Sequence, residues 1–503
     1  MNWKLVIRII GVLLSIEAGL MAVCMVLGYF YGESIYPFVC PTLAACAVSM
    51  LFGFISRGAS ATMGRKEGYL VVSLSWIAFS LVGMFPFLLS GALPDVASAF
   101  FETMSGFTST GATVIDDCDA QPHSILMWRS LSQWIGGIGI IFFTIAILPA
   151  FGVGEVKLFA AEATGPMHNK VHPRISVTAK WIGTVYLLLT ALCIASLLVC
   201  GMNPFDAVNY SFVTTATGGF GTHSAMLHEA FNSPAIEYVL SFFMFISGVN
   251  YTLIYYTILR GHIRRFFHDA ELRCFIAIFV SVTLVCTASL VYQRVDWSQW
   301  SLANGQWSVL ELCFRESLFT VLSLQTTTGL ATCDYTTWPI TLMPPLLFVM
   351  FAGACSGSTS GGFKCVRWFI IFRLVRSELQ RILHPRAVLP VKMNGQVISP
   401  QIIHTLFAFV ALFTGSLFLG AFLLALFGVS PGVPREVFDY EDALGLAMSS
   451  LSNVGPGMGY YGPAHSWAIL SPVAKWTCSA LMLIGRLEIF PVLVLFTRSF
   501  WKR

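Results

Sequence analysis

Charge is what this chain has least of. Only 11% of its 503 residues are Asp, Glu, Lys or Arg, whereas 56% are hydrophobic. A soluble domain carries roughly 25% charged residues, so a globular fold in water is excluded. The formal net charge of +4 is too modest to imply nucleic acid as a partner. Thirteen cysteines are scattered, mostly within apolar runs, and no C-x-x-C occurs. Neither a metal site nor a disulfide framework follows from that pattern, and no bridge between Cys118 and Cys333 is expected. No H-E-x-x-H, G-x-S-x-G or Walker motif is present, and no G-x-G-x-x-G follows a strand. The sequence signals of a hydrolase or a nucleotide site are therefore missing.

What remains is hydrophobic length. Crossing ~30 Å of hydrocarbon takes about 20 apolar residues as a helix. Ten candidate runs lie near 3–30, 37–56, 69–91, 124–150, 178–201, 235–259, 273–293, 339–376, 402–428 and 467–498. The first carries Glu17 and lacks a small-residue cleavage site, so it reads as a helix and not as a signal peptide. With Met1 inside, 23 of the 29 Lys and Arg fall on one side, which the positive-inside rule assigns to the cytoplasm. They include the basic segments 155–180, 260–273 and 364–392. By the same topology 17 of the 25 Asp and Glu fall in or beside the outer connections, among them Asp116, Asp117, Asp119, Asp206, Asp334 and Asp442. An acidic vestibule would gather cations at a pore mouth. The alternative is that acids sit outside because basic residues cannot.

Four short segments recur between these runs: Ser109-Thr110-Gly111, Ala216-Thr217-Gly218, Thr327-Thr328-Gly329 and Asn453-Val454-Gly455. Their glycines are 107, 111 and 126 residues apart. Each follows a stretch of 12 to 19 residues, at 94–108, 204–215, 308–326 and 438–451, too short to span and suited to a re-entrant helix. Irregular backbone at membrane depth survives only when buried in protein or lining a wet cavity. One T-G dipeptide would be loop punctuation. Four at equivalent outward returns predict carbonyl oxygens gathered around an axis, able to replace a cation's hydration shell. The expected fold is an all-α polytopic membrane protein. Four pseudo-symmetric span–half-span–span repeats would surround one pore, preceded by two extra N-terminal helices. The boundaries are 1–66, 67–153, 154–262, 263–395 and 396–503.

The stretches FTSTGAT (107–113), TTATGGFGTH (214–223), LQTTTGLATCDY (324–335), SNVGPGMG (452–459), GACSGSTSGGFKCVR (353–367) and MLIGRLEIF (482–490) carry a resemblance. The chain is similar to the Trk/Ktr/HKT superfamily of potassium transporters, and most to its TrkH-type bacterial branch, from about residue 69 to the C-terminus. The resemblance implies four M1-P-M2 repeats and a K+ filter with central glycines Gly111, Gly218, Gly329 and Gly455. Thr110, Thr217, Thr328 and Val454 would offer carbonyls just below. Sodium-preferring plant relatives often have Ser at the first position, where Gly111 stands here. Val454 and the following proline make the fourth segment unequal. K+ is then the transported ion, with no organic cofactor on this chain. The resemblance also implies a bacterial inner-membrane location, a homodimer in the bilayer and a cytoplasmic nucleotide-binding regulator of TrkA type.

Within the third repeat, Gly353-Ala354-Cys355-Ser356-Gly357-Ser358-Thr359-Ser360-Gly361-Gly362 interrupts the long run. Ten small residues are weakly helical, so a broken helix is expected, against the alternative of close helix contact. In the resembling family this loop obstructs and gates the pore. Arg486 lies inside an apolar run, where a charge costs about 2.5–3.5 kcal/mol. It is expected beside the gate loop; the alternative is an ion pair with Glu488. A coupled sodium or proton symporter of the same fold remains open. A membrane enzyme is disfavoured, because His172 and His223 fall on opposite sides.

Overall fold

The computed structural model describes residues 1–59, 64–142, 175–258, 261, 263–295, 307–387, 389–429 and 438–502. Most of the expected basic segment 155–180, with Lys157, Lys170, His172 and Arg174, lies outside these residues, as do Arg260 and the end of the run 124–150. Apolar runs become helices at nearly the expected bounds. Two N-terminal helices, Trp3–Phe30 and Tyr36–Ile55, pack along each other. The outer helices of the four repeats are Arg65–Gly83 with its continuation Phe85–Ser90, Ile175–Val199, Ala270–Arg294 and Pro400–Phe427. The short pore helices are Val96–Phe107, Pro204–Ala216, Trp307–Gln325 and Tyr440–Ser452. Apart from the two-stranded hairpin Lys392–Met393 and Gln396–Val397, the described residues are helices and their connections.

The helix starts follow from local chemistry. Pro204, Pro234, Pro400 and Pro472 each occupy a first turn, where the missing N–H costs nothing. Asn203 and Ser471 cap two of these starts with side-chain oxygens, satisfying amides that the helix leaves unpaired.

Burial is layered from the axis outward. Every residue from Ala97 to Phe107 is buried in the first pore helix. The outer helices leave large apolar side chains uncovered, including Leu187 and Leu192, Leu284 and Val285, and Phe418 and Phe422. Polar groups inside and apolar groups outside is the arrangement that lipid favours. Glu17 is buried against Gly83, and neither carboxyl oxygen has a hydrogen-bond partner.

The inner helices correct one expectation. The run 339–376 is broken, as expected: Met343–Ala352 ends, and Cys365–Leu383 begins after a non-helical stretch. The runs 235–259 and 467–498, whose composition shows no such break, are also bent. Pro234–Ser247 turns by 102° into Tyr251–Ile258, and Pro472–Arg486 turns by 112° into the segment from Phe490 to Phe496. At the last bend Glu488 and Ile489 both have positive φ. Such backbone is strained for a side-chain-bearing residue, and composition did not announce it. The first inner helix, His123–Phe142, has no such bend within its described length.

Candidate functional site

All four pore helices end in the same backbone shape. Ser109, Thr217, Thr327 and Asn453 have φ between 50° and 56°, and two residues later Gly111, Gly219, Gly329 and Gly455 are again positive. The intervening amides of Thr110, Gly218, Thr328 and Val454 each donate to the carbonyl five residues back, at 2.8 to 3.0 Å. This left-handed closure satisfies orphan carbonyls at a helix C-terminus. It turns the next carbonyls off the helix axis.

The register corrects the expected second segment. Gly218 is not the partner of Gly111, Gly329 and Gly455; Gly219 is. Likewise the middle residue of repeat two is Gly218, not Thr217, and Ala216 is the helix end. The consecutive glycines in T-G-G-F left two registers open, and only backbone φ separates them. A β-carbon built on each glycine shows the closure. It would meet Gly218 O from Gly111 at 2.0 Å, Thr328 O from Gly219 at 2.3 Å, Val454 O from Gly329 at 2.1 Å and Thr110 O from Gly455 at 2.7 Å. Repeat one thus faces two, two faces three, three faces four, and four returns to one. Only residues without a β-carbon allow turns this close. Four carbonyl-bearing turns around one axis can coordinate a dehydrated cation.

Beneath this ring lies the glycine-rich loop. Residues 353–364 are non-helical, and Gly353, Gly357 and Gly362 have positive φ. Cys355 N donates to Gly248 O at 3.0 Å, and Tyr251 N to Gly357 O at 3.1 Å, so the loop seats in the bend of the second inner helix. Ser356 N reaches Glu271 at 2.5 Å, while Ser358 and Ser360 share a hydroxyl contact of 2.8 Å. The tip touches the ring itself. Gly361 N donates to Thr327 Oγ1 at 2.7 Å, and Thr359 Oγ1 donates to Thr215 O at 3.1 Å.

Arg486 is 2% exposed and sits between loop and ring. Its guanidinium donates to Thr359 O at 2.8 Å, Ser109 Oγ at 3.1 Å and Gly136 O at 3.2 Å. The alternative pair with Glu488 is not formed. Glu488 instead holds Arg367 at 2.8 Å, because the break after Leu487 swings it away.

On the side of the ring away from the loop, a vestibule of about 160 Å³ is lined by Gly111, Gly219, Gly329 and Gly455 at its floor, with Asp116, Arg129 and His223 among the wall residues. The acids here are more structural than their count suggested. Asp95 caps the first pore helix, Asp206 and Asp442 lie buried in the first turns of the second and fourth, and Asp334 caps a short turn. A carboxylate at a helix N-terminus is favourable. Asp206 accepts Thr222 Oγ1 at 2.6 Å and His223 Nε2 at 3.1 Å, while His223 Nδ1 contacts Asp119 at 2.7 Å. Burial lowers the His223 pKa, but the hydrogen bonds to Asp119 and Asp206 outweigh it and raise the value above 6.5. The Ser224 amide, and then His223, hold Asp119 below its ordinary value.

Sequence reading missed the residues behind the ring. Glu102 and Arg129 form a wholly buried pair at 2.9 Å. Glu102 also accepts Thr113 Oγ1 and Val114 N, both at 2.9 Å. Gln133, one turn after Arg129, reaches Gly218. The signal was available: a basic and an amide residue four apart within an apolar run. Cys118 and Cys333 are free thiols.

The TrkH family profile, described as a cation transport protein, matches residues 39–503. The Trk system potassium uptake protein TrkH of Escherichia coli (strain K12) is 35% identical over 507 residues, covering 100% of both chains. The Trk system potassium uptake protein TrkG of the same strain is 33% identical over 481 residues, covering 95% of this chain and 94% of that one. Among solved structures, the crystal structure of the potassium transporter TrkH from Vibrio parahaemolyticus is similar at a TM-score of 0.87 and 33% identity, with both chains covered in full.

Proposed function

The chain belongs to the TrkH family of cation transport proteins, and from that membership we infer that it is the potassium-translocating membrane subunit of a Trk-type uptake system. The observation that carries the reading is the closed ring of four equivalent turns, in which each glycine abuts the next repeat's carbonyl. Ser109, Thr110 and Gly111, Thr217, Gly218 and Gly219, Thr327, Thr328 and Gly329, and Asn453, Val454 and Gly455 form the filter. Backbone oxygens there replace the water of potassium. Each pore helix points its partly negative C-terminus at the axis, which favours a cation.

The loop 353–362 is the gate. It lies on the inner side of the ring and is tied to it through Thr327 and Arg486. Freeing its tip requires breaking the hydrogen bonds of Thr359 and Gly361, within reach of a switch of a few kcal/mol. Arg486 holds the closed loop and adds positive charge beside the path.

The N-terminus is cytoplasmic and the membrane is the bacterial inner membrane, supported by 23 of 29 Lys and Arg on that side. The relatives' names describe a system, which supports assembly with further components. The inner basic surfaces dock a nucleotide-binding regulator of TrkA type, and two copies pair in the bilayer.

Purified protein in liposomes tests the function. Potassium-driven flux is expected, with a reversal potential that follows the potassium gradient. Folded protein without potassium flux would sink the reading. A reversal potential that tracks opposed sodium or proton gradients would replace it with coupled symport.

A further inference from the structure

The ring is chemically uneven in a way that the four segments do not reveal. Arg129 and Gln133 lie four apart on the first inner helix, so they share one face. Both are buried, and both reach across to the segment that follows the second pore helix. Gln133 Nε2 donates to Gly218 O at 2.7 Å, and Gln133 Oε1 accepts from Phe220 N at 3.2 Å. Arg129 Nη1 donates to Gly221 O at 2.9 Å. One helix of repeat one therefore grips three backbone groups of repeat two's turn, at residues 218, 220 and 221.

Gly218 O belongs to the ring layer formed with Thr110 O, Thr328 O and Val454 O. Among the described residues, Gly218 O is the member of that layer with a protein donor behind it. The same contact explains a residue choice. Thr110, Thr328 and Val454 stand at the other three middle positions, but a β-carbon at Gly218 would lie 2.4 Å from Gln133 Oε1. Glycine at 218 and glutamine at 133 thus form a complementary pair.

We propose that Gln133 is a specificity-determining residue that tethers one carbonyl of the ring from behind. A carbonyl oxygen has two acceptor sites, so Gly218 O can hold Gln133 and still face the path. Closing the ring around a cation smaller than potassium would pull this oxygen off its donor. The tether then penalises sodium more than potassium. This inference rests on the reading of the ring as the filter.

The test is the ratio of sodium to potassium flux in liposomes. Gln133→Met keeps the volume and removes the donor, and the ratio is expected to rise about fivefold, as one neutral hydrogen bond would give. Gln133→Glu keeps the shape and, as the carboxylate, still accepts from Phe220 N yet has no donor; the same rise is expected at a pH that ionises it, and it decides the matter if the apolar variant does not fold. Gly218→Thr is expected to abolish flux by clashing with Gln133, and Gln133→Ala in that background to restore it with raised sodium flux. Gly329→Ser, on another side of the ring, serves as the comparison, with loss of flux counted as a change because its β-carbon would lie 2.1 Å from Val454 O. An unchanged ratio in folded Gln133 variants, with a changed one in Gly329→Ser, overturns the tether alone. Unchanged ratios in both overturn the filter reading beneath it.

Discussion

The guanidinium of Arg486 donates to the carbonyl of Thr359 at 2.8 Å, joining the last turn of the fourth inner helix to the tip of the third repeat's loop. The same side chain reaches Ser109 Oγ at 3.1 Å. Loop, ring and broken helix therefore share one cation. A hydrogen bond from a charged donor contributes about 1.5–3 kcal/mol, enough to shift a two-state gate by about tenfold or more. Arg486→Gln is expected to raise basal potassium flux by about that factor. Liposome flux at matched protein density reads it out, and unchanged flux removes Arg486 from the gate.

Shortening the loop within 353–362 is expected to raise basal flux as well, because it removes the contacts of Thr359 and Gly361 beneath the ring. A deletion variant with wild-type flux would show that the loop does not obstruct the path.

The ring register can be tested at Gly219. Its φ is +92°, and a β-carbon would lie 2.3 Å from Thr328 O. Gly219→Ala is expected to suppress selective flux. Gly395 has a similar φ of +85° with nothing within 4 Å, so Gly395→Ala carries the backbone cost of about 1–2 kcal/mol without the clash and should conduct normally. Gly111→Ser would place a β-carbon 2.0 Å from Gly218 O, so it must displace that carbonyl in the same way and should relax preference for potassium over sodium.

The buried pair Glu102–Arg129 gives a stability prediction. Removing one partner of such a pair typically costs about 3–5 kcal/mol, because the other charge stays buried. Arg129→Met and Glu102→Gln should each lower the thermal midpoint clearly, and the double variant should lose less than the sum of the two. Strict additivity would mean that the two side chains do not act as a unit.

His223 gives the vestibule a pH dependence. Its folded pKa is raised, so its stabilisation is complete below about 6.5 and fades as pH rises through the folded value. Asp119 is lowered, so its contribution is present above about 3.9 and is lost as pH falls through its folded value. The stability gap between wild type and His223→Gln should be largest near about pH 5–6 and shrink toward about pH 8–9. Thermal unfolding across that range measures it, and a flat gap would contradict the bridging role.

Helix placement was legible because lipid makes burial a matter of length. The runs 273–293 and 402–428 became Ala270–Arg294 and Pro400–Phe427, set by apolar length and by Pro or Asp at the start. The break at 353–362 was legible because ten small residues hold no helix. The bends at 248–250 and 487–489 were hidden. Gly248 and Asn250 are a faint signal, and Glu488 and Ile489 give none. Their positive φ values and the swing of Glu488 toward Arg367 arise from contacts between repeats.

By itself the sequence determined that this chain lives in a membrane, that its basic residues collect in one set of connections, and that four turns recur. Those properties depend on hydrophobic length, charge and local backbone preference, which are encoded along the chain. Only the tertiary structure decided which glycine of T-G-G-F joins the ring, that Arg486 holds Thr359 and not Glu488, and that Gln133 stands behind Gly218. Each of those depends on which distant segment fills the space beside a residue, and a linear pattern does not carry that information.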